Sequence, residues 1–271
     1  MERTALVTGC SSGVGRATAR AYLAEDWTVY ATARNTDDLT DLANAGAETL
    51  ELDVTRPAQC RDVVETVVEE SGRLDVLVNN AGYAQFGPLE DVPTRELHRQ
   101  FDVNVYGPHR LIRAALPHMR EAEEGTIVTV SSVAGRVATP GMGAYAGSKF
   151  ALEGMSDALR AEVRSFGVDV VVVEPGPVES DVRERARSAG QQLDATDAYR
   201  SLYDSYEDYT ALGGTGSVSP EAVAAVILEA GVSTDPQPRY AVGTVAEYGL
   251  IGRFLPDEWR DRLFSILQRL Q

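Results

Sequence analysis

Short apolar segments alternate with stretches of helical periodicity over most of the chain. The apolar segments predict strands at Thr4–Val7, Thr28–Thr32, Leu50–Val54, Leu74–Val78, Thr126–Val130 and Val168–Val173. The periodic stretches predict helices at Gly13–Ala24 and near residues 57–71, 94–120 and 145–166. The last of these strands is almost continuously β-branched, which is typical of a strand covered on both faces. Regular alternation of strand and helix predicts the α/β class, with a doubly wound parallel sheet.

The pattern changes after residue 180. Residues 181–218 are polar, weakly periodic and rich in tyrosine. The run Ser219–Glu221 then supplies an N-cap, a first-position proline and a first-turn acid, which predict the start of a helix. A last strand is predicted at Arg239–Val242 and a closing helix at residues 258–270. Because no linker or repeat divides the chain, we expect one domain over residues 1–271, with a core (1–180), a variable segment (181–218) and a closing unit (219–271).

Several functional classes lack their usual sequence features here. No apolar run approaches the roughly 18 residues that a membrane helix needs, and the first residues lead directly into a strand, without room for a signal peptide. Cys10 and Cys60 are too few for a disulfide framework, and His98, His109 and His118 match no metal motif. We therefore expect a reduced cytoplasmic protein without a structural metal or a membrane span.

The charge composition is strongly acidic and unusual in its bases. The 41 acidic residues exceed the 25 lysines and arginines, for a net charge of −16. Such a surface repels phosphate backbones, so we expect no nucleic-acid partner. Lys149 is the only lysine, and every other strong base is arginine. A chain that keeps a single lysine is expected to need it.

The acidic surplus predicts a response to salt. Self-repulsion between carboxylates weakens as the Debye length falls from about 10 Å at 0.1 M salt to about 3 Å at 1 M. A halophilic source predicts that stability and activity rise into the molar range of KCl, whereas a merely GC-rich source predicts that activity falls; we favour the halophile. Thermal unfolding and turnover from about 0.1 to 3 M KCl decide this, and a flat or falling midpoint defeats the halophilic interpretation.

A cluster of glycines separates the first strand from the first helix. Its spacing is G-x-x-x-G-x-G over residues 9–15. Glycine permits a tight turn and a close approach of the backbone to a pyrophosphate, and the helix N-terminus favours the anion. Packing alone can also require glycine in a turn, but the strand before it and the helix after it favour a dinucleotide site. The candidate contacts are Gly9, Ser11, Ser12, Gly13, Val14 and Gly15.

The residue after strand two bears on the choice of dinucleotide. NAD sites usually carry an acid there, about 20 residues past the glycines, which binds the adenosine ribose 2′-hydroxyl. Here the strand leads into Arg34, and no acid appears before Asp37. Arg34 can pair with a 2′-phosphate and Ser12 can add a hydroxyl, so we favour NADP(H) over NAD(H). The alternative is that Arg34 is an ordinary surface arginine.

Tyr145 and Lys149 are four residues apart and lie on one face of a predicted helix. A tyrosine and a lysine at this spacing are common by chance. Here, however, the lysine is the only one in the chain, and Ser131 and Ser132 stand at the end of strand five. The glycine turn lies at that same edge of the sheet, where an open parallel sheet presents its active-site groups.

Taken together, these motifs resemble the short-chain dehydrogenase/reductase family, in its single-domain Rossmann form. The resemblance is firm over residues 3 to about 180 and loose beyond. It rests, in chain order, on Thr8-Gly9-x-x-x-Gly13-x-Gly15, Asn79-Asn80-Ala81-Gly82, Asn104, Ser132, Tyr145-x-x-x-Lys149 and Pro175-Gly176. The family spacing to the tyrosine selects Ser132 over Ser131, and Ser180 replaces the usual threonine. The segments similar to the 17-beta-hydroxysteroid and retinol dehydrogenase-like branch, which includes NADP(H) users, are Thr8–Ser12, Val29–Thr32, Ser148–Gly154 and Pro238–Tyr240.

The resemblance implies an oxidoreductase that interconverts a hydroxyl and a carbonyl. Tyr145 would pass a proton while the nicotinamide passes a hydride, and Ser132 would hydrogen-bond the reacting oxygen. Lys149 would hold the nicotinamide ribose. A free tyrosine has a pKa of about 10, and we expect the ammonium and an oxidised nicotinamide to lower the pKa of Tyr145. By resemblance, Asn104 bends its helix and holds a water that connects Lys149 to solvent.

The remaining cofactor candidates follow strands three, four and six. Asp53 is placed to accept from the adenine amino group. The others are Val54 beside it, Asn80, Ala81 and Gly82 at the adenosine ribose, and Pro175, Gly176, Val178 and Ser180 at the nicotinamide carboxamide.

Substrate and assembly are less specified. Residues 181–218 would form the substrate pocket and its lid, and their tyrosines and leucines indicate either an apolar substrate or ordinary packing. A 3-oxoacyl-thioester reductase uses the same catalytic residues and is an alternative. A dinucleotide sensor without turnover is another, although such proteins typically lose the tyrosine or the lysine. By resemblance, the helices at 94–120 and 145–166 form the surface of a homodimer or homotetramer.

Overall fold

The computed structural model describes residues 2–179, 193–204 and 216–262, apart from the side chains of residues 250 and 251. Within these ranges, parallel strands form one sheet in the order β3-β2-β1-β4-β5-β6-β7. The strands are β1 (Thr4–Thr8), β2 (Thr28–Ala33), β3 (Glu48–Glu51), β4 (Val76–Asn79), β5 (Gly125–Val130), β6 (Val168–Pro175) and β7 (Arg239–Val242). The order reverses between β1 and β4, so the carboxyl ends of these two strands flank a crevice. The prediction of a doubly wound parallel α/β sheet is confirmed.

Helices cover both faces of the sheet. They are α1 (Gly13–Ala24), α2 (Thr40–Asn44), α3 (Pro57–Ser71), α4 (Thr94–Phe101), α5 (Gly107–Ala122), α6 (Gly143–Val163), α7 (Pro220–Val232) and α8 (Thr244–Gly249). One buried cluster joins the sheet to α1 and α7, through residues such as Val7, Tyr22 and Ile227. The second joins the opposite face to α3 and α5, through residues such as Leu6 and Leu111. The sheet is therefore covered on both sides and is rigid where its strands end.

The local sequence explains several helix ends. Ser219 Oγ accepts a hydrogen bond from the Ala222 amide at 3.1 Å, and Pro220 occupies the first turn, so α7 begins as predicted. Helix α3 starts at Pro57 and ends at Gly72, whose φ of 76° is the left-handed conformation that glycine adopts without strain. Because β7 joins β6, residues on both sides of the variable segment contribute to one sheet.

Some predicted boundaries were wrong. The third strand covers Glu48–Glu51 rather than Leu50–Val54, because Leu52 and Val54 are buried beyond the end of the ladder. The fourth strand begins at Val76, two residues later than predicted. The closing helix is described only to residue 262, so most of its predicted range lies outside the described residues.

The helix predicted at residues 94–120 is interrupted. Helix α4 ends at Phe101, a π-helical turn covers Asp102–Tyr106, and α5 follows from Gly107. The turn contains Asn104, and π turns inside helices are often found at functional sites.

No helix in the described ranges has both the length and the apolarity required to cross a membrane.

Over residues 2–179, 193–204 and 216–262, no three His, Cys, Asp or Glu side chains form a group that could hold a metal ion. Cys10 and Cys60 are buried free thiols.

Candidate active site

The glycine turn lies between β1 and α1, at the carboxyl edge of the sheet. Gly9 and Gly13 have φ angles of 73° and 56°, which other residues adopt only with strain. At Gly15 a Cβ would clash with the Gly9 carbonyl oxygen and would lie 2.5 Å from Nδ2 of Asn80. A side chain at any of these three positions would deform the turn. The predicted glycines are thus required by the geometry of this backbone, which leaves the amides at the start of α1 accessible to an anion.

Hydrogen bonds connect this turn to the end of β4. Asn80 Nδ2 donates to the carbonyl oxygens of Thr8 and Gly9, at 2.8 and 3.3 Å. Thr8 Oγ1 accepts from the amides of Asn80 and Ala81, both at 3.0 Å. Two predicted cofactor segments, residues 9–15 and 80–82, therefore form one unit across the crevice. Thr8 was noted only as part of the motif, but its hydroxyl joins the two segments.

Arg16 braces the same turn and was not predicted. Its guanidinium donates to the carbonyl oxygen of Ser11, and to those of Cys10 at 3.5 Å and Asp38 at 2.8 Å. It also lies 3.8 Å from the carboxylate of Asp41. The side chain thus directs the carbonyl groups of the turn away from the crevice. An arginine directly after the third glycine is the only feature of the sequence that could have indicated it.

Arg34 and Asp53 lie beyond the carboxyl ends of β2 and β3. Arg34 is exposed and forms no hydrogen bond or ion pair with the described residues. Burial disfavours the charge on Asp53, but hydrogen bonds from the amide and hydroxyl of Thr55, at 2.9 and 2.7 Å, lower the pKa of its carboxyl below the usual value. Both bonds end on Oδ1, so Oδ2 remains available as an acceptor. Val54 is buried directly after Asp53.

The three predicted catalytic side chains meet beyond the end of β5. Ser132 follows that strand, and Tyr145 and Lys149 lie in the first two turns of α6. Ser132 Oγ accepts from the Ala134 amide at 3.1 Å and donates to the Pro175 carbonyl oxygen at 3.5 Å, and its hydroxyl favours the charged form of the Tyr145 phenol beside it. Lys149 is 6% exposed; its Nζ lies 5.6 Å from the centre of the Tyr145 ring and donates to the Val130 carbonyl oxygen at 2.8 Å. The structure therefore brings the three predicted catalytic side chains together at one strand end.

The pKa of Tyr145 differs from the sequence expectation. Burial raises it above the ordinary value for tyrosine, and the Ser132 hydroxyl only partly opposes this. Burial also lowers the pKa of Lys149 to about 8. In the protein alone the direction is thus opposite to the expectation, which combined the ammonium with an oxidised nicotinamide and stays a prediction for the complex. Tyr145 is consequently a protonated acid at neutral pH.

Asn104 is buried at the π turn and joins two elements of the site. Its Oδ1 accepts from the Tyr83 amide at 3.1 Å, and its Nδ2 donates to the Tyr83 carbonyl oxygen at 2.9 Å. The same Nδ2 donates to Ser148 Oγ at 3.1 Å, and Ser148 in turn donates to the Tyr145 carbonyl oxygen at 2.7 Å. Asn104 thus fixes the loop after β4 against α6. Neither Tyr83 nor Ser148 was predicted to participate, because both contacts depend on tertiary structure.

The segment after β6 borders the same site. Pro175 is the last residue of the strand, and the Gly176 amide donates to the Val242 carbonyl oxygen at 3.0 Å. Val178 forms a parallel bridge with Val218. The residues directly before and after Val178 are hydrogen-bonded to the backbone of Val218. Ser180, the last predicted cofactor contact, lies outside the described residues, as do residues 181–192 and 205–215 of the predicted lid.

The described part of the predicted lid, residues 193–204, packs on the loop after β4. Thr196 donates from its amide and hydroxyl to the carboxylate of Asp91, at 3.1 and 2.5 Å, and Tyr203 donates to the same carboxylate at 2.9 Å. The Tyr199 hydroxyl donates to Glu90 at 2.7 Å. The rings of Phe86 and Tyr203 are 6.3 Å apart in edge-to-face geometry. Two of the lid tyrosines therefore have structural partners, and Tyr206 and Tyr209 lie outside the described residues.

Comparison with known proteins agrees with this geometry. The family model for short chain dehydrogenases matches residues 3–191. The NADPH-dependent 3-dehydrocapnine reductase of Ornithobacterium rhinotracheale is 34% identical over 275 aligned residues, covering 97% of this chain and 96% of that protein. The 3-ketodihydrosphingosine reductase of Bacteroides thetaiotaomicron is 39% identical over 202 residues, or 73% of each chain.

A solved structure shows the same architecture. A short-chain dehydrogenase from Streptomyces avermitilis superposes with a TM-score of 0.82 at 38% identity, covering 98% of this chain and 96% of that one. The sheet order, the glycine turn and the Ser132, Tyr145 and Lys149 cluster are accompanied by sequence similarity along nearly the whole chain. The protein is an oxidoreductase that belongs to the short-chain dehydrogenase/reductase family.

Proposed function

We propose that this chain is an NADP(H)-dependent reductase that converts a carbonyl on a largely apolar substrate to a hydroxyl. The observation that carries the proposal is the cluster at the end of β5, where the hydroxyls of Ser132 and Tyr145 lie beside the buried Lys149, whose Nζ is 5.6 Å from the centre of the Tyr145 ring. Burial raises the pKa of Tyr145 and keeps the phenol protonated at neutral pH. A protonated phenol is the form that donates a proton to a carbonyl oxygen during reduction, and two relatives of this chain are named as reductases.

The residues divide the chemistry between them. A bound nicotinamide cofactor supplies the hydride. Tyr145 donates a proton to the substrate oxygen, and Ser132 donates a hydrogen bond to the same atom as negative charge develops on it. Lys149 would hold the ribose of the nicotinamide, and Asn104 fixes the loop after β4 against α6. The glycine turn, which a Cβ at Gly15 would obstruct, fits a pyrophosphate.

The remaining cofactor contacts are proposed from position. Asp53 has a free Oδ2 for the adenine amino group, with Val54 beside it. The other proposed contacts are Gly9, Ser11, Ser12, Gly13, Val14, Asn80, Ala81, Gly82, Pro175, Gly176, Val178 and Ser180.

Replacement of Arg34 by Asp is expected to shift preference from NADPH toward NADH. Arg34 is exposed at the end of β2, without a partner among the described residues, and is thus available to a 2′-phosphate. A carboxylate there repels the phosphate and accepts from a free 2′-hydroxyl. The ratio of kcat/KM for the two cofactors measures the change. Arg20→Asp on α1 is the matched control, since Arg20 pairs with Asp41 at 2.7 Å and should leave the ratio unchanged. A wild type that already prefers NADH contradicts the role of Arg34.

A substrate screen tests the function as a whole. Ketones, aldehydes and 3-oxoacyl thioesters are offered with NADPH, and cofactor absorbance is followed at low and high salt. We expect consumption with apolar ketones. The two relatives named above are both reductases, one NADPH-dependent and one acting on a 3-keto compound. Consumption with thioesters alone would favour the 3-oxoacyl-thioester reductase. NADPH binding without turnover across the set would favour the dinucleotide sensor.

We also propose that the enzyme is a homodimer or homotetramer. Tyr106, Phe150 and Met155 lie on the π turn and α6, with 41%, 46% and 38% of their surfaces exposed. Large apolar side chains exposed on neighbouring elements are typical of an association surface. Sedimentation velocity measures the state directly, and a monomer at micromolar concentration contradicts the proposal.

A further inference from the structure

Two buried acids and two partly buried arginines form a charged cluster next to the proposed catalytic residues. Glu153 on α6 and Glu174 on β6 are 5% and 1% exposed. Oε2 of Glu153 lies 3.3 Å from Nη1 of Arg136 and 3.1 Å from Nε of Arg239. Oε1 of Glu174 lies 3.5 and 3.4 Å from the same two nitrogens. Acids this deeply buried need partners, and here two carboxyls share two guanidinium groups.

The two carboxyl groups meet at the same two arginine nitrogens, which brings their oxygens close to each other. The contacts of Oε1 of Glu174 with the two arginine nitrogens are ion pairs and not hydrogen bonds. Oε1 of Glu153 and Oε1 of Glu174 thus have no hydrogen-bond donor among the described residues, although both atoms are buried. A single proton between the carboxyls would satisfy both atoms, since a protonated carboxyl donates to an ionised one. Burial and the charge on Glu153 raise the pKa of Glu174 to about 7, against the opposing influence of Arg136 and Arg239. The pair therefore loses its proton within the physiological range of pH.

Glu153 is also one helical turn beyond Lys149. A Cβ on Gly135 would lie 3.2 Å from Cγ of Glu153 and 3.2 Å from the backbone carbonyl carbon of Lys149, so the chain after β5 packs directly on this part of α6. Little solvent separates the two side chains, and the charge on Glu153 acts on Lys149 through a poorly screened medium. Burial lowers the pKa of Lys149 to about 8, and the negative charge of Glu153 opposes that effect.

We propose that Glu153 and Glu174 share one proton, and that the negative charge of this carboxyl pair sets the protonation state of the catalytic lysine, Lys149. This inference rests on the proposed function of Lys149 and extends it to residues that contact neither cofactor nor substrate. When the pair is singly protonated, Lys149 experiences one negative charge. When the pair ionises, it experiences two and retains its own proton to higher pH.

Other charged groups act on the pair from each neighbouring element. Arg136 follows β5 and Arg239 lies on β7, and both favour the ionised carboxyls. Asp157 on α6 is hydrogen-bonded to Arg239 and to Arg160, so its charge is compensated. A cavity of about 640 Å³ beside Glu153 is also lined by Arg253, Arg260 and Asp261. Because Glu153 lines this cavity, the cavity is the proposed route by which the titrating proton reaches the pair.

Because Lys149 is the only lysine, its ionisation can be measured alone. Protein labelled with ¹³Cε-lysine gives one side-chain resonance, whose shift against pH reports the protonation of Lys149 without cofactor or substrate. In the wild type we expect the main transition near pH 8, preceded by a smaller inflection near pH 7 from the carboxyl pair. E153Q should lower the main transition by about one pH unit, because it removes the nearer charge.

Three further variants separate this role from a structural one. E174Q should abolish the inflection near pH 7, since Glu153 then has no partner with which to share a proton. E153D keeps the charge and should restore the main transition toward wild type. D157N alters a carboxyl on the same helix that is half exposed and also bonds Arg239, and it should leave the titration unchanged. Thermal unfolding shows whether each variant is folded. If E153Q does not fold, the titration of E174Q is the test.

Two results would overturn the proposal. One is a Lys149 transition in E153Q that coincides with wild type; the other is an inflection near pH 7 that persists in E174Q. The titration is independent of turnover, so a failure of the substrate screen in wild type rejects the proposed function and leaves this measurement intact. With an active substrate, the alkaline limb of kcat/KM should move in the same order, lowest in E153Q.

Discussion

Replacing Tyr145 by Phe is expected to remove most of the turnover and leave NADPH binding nearly intact. The substitution deletes only the hydroxyl, which lies beside Ser132 and is the proposed proton donor. Proton transfer from a positioned acid typically contributes about 10²–10⁴-fold to the rate. Steady-state kcat with an active ketone, together with NADPH affinity from fluorescence titration, measures both parts of the expectation.

A second tyrosine provides the control for this loss. The Tyr30 hydroxyl on β2 donates to Glu70 at 3.0 Å, far from the end of β5, so Tyr30→Phe removes a hydroxyl of the same kind without touching the site. That variant should keep near wild-type kcat. If Tyr145→Phe instead keeps more than about a tenth of the activity, the loss is too small for a general acid and the assignment of Tyr145 is wrong.

Replacing Lys149 by Met should damage both cofactor binding and rate. Lys149 is buried, and its ammonium donates to the Val130 carbonyl oxygen at the end of β5. Methionine fills a similar volume but leaves that carbonyl without its donor and removes the proposed contact with the ribose. We therefore expect a higher Kd for NADPH as well as a lower kcat, a combination that distinguishes Lys149 from Tyr145.

Lys149→Arg tests which property of the side chain matters. A guanidinium keeps the positive charge but is a planar fork that does not replace a compact ammonium in a buried site. We expect only partial recovery of kcat and of NADPH affinity. Unchanged kinetics in both variants would show that the sole lysine of the chain is incidental to catalysis.

The sequence predicted the sheet and the shared helix face of Tyr145 and Lys149 because both depend on local patterns. Strand six is apolar and β-branched over most of its length, and the structure buries all but one of its residues. Tyr145 and Lys149 share a helix face by spacing alone. The glycines were recognisable from their spacing. At Gly15 the chain passes so close to Asn80 that no side chain fits. Each of these features is recorded in a few consecutive residues.

What the sequence did not indicate depends on contacts between distant residues. The amide of Asn104 bonds to Tyr83 and Ser148, which no periodicity in residues 94–120 reveals; only the family resemblance implied a bend of the helix at Asn104. The raised pKa of Tyr145 results from burial by several elements. One overlooked feature was visible: Glu174 stands in an otherwise apolar run, and a charge in a buried strand requires compensation.

The reversal of strand order between β1 and β4 has a consequence for engineering. Arg34 and Asp53 follow β2 and β3 on one side of the crevice, whereas the lid residues 193–204 come after β6 and are fastened to Asp91, beyond β4. Substitutions at well-separated sites without shared partners combine additively to within a few tenths of a kcal/mol. Cofactor preference and substrate range should therefore be open to redesign in separate libraries, whose best variants can be joined without re-optimisation.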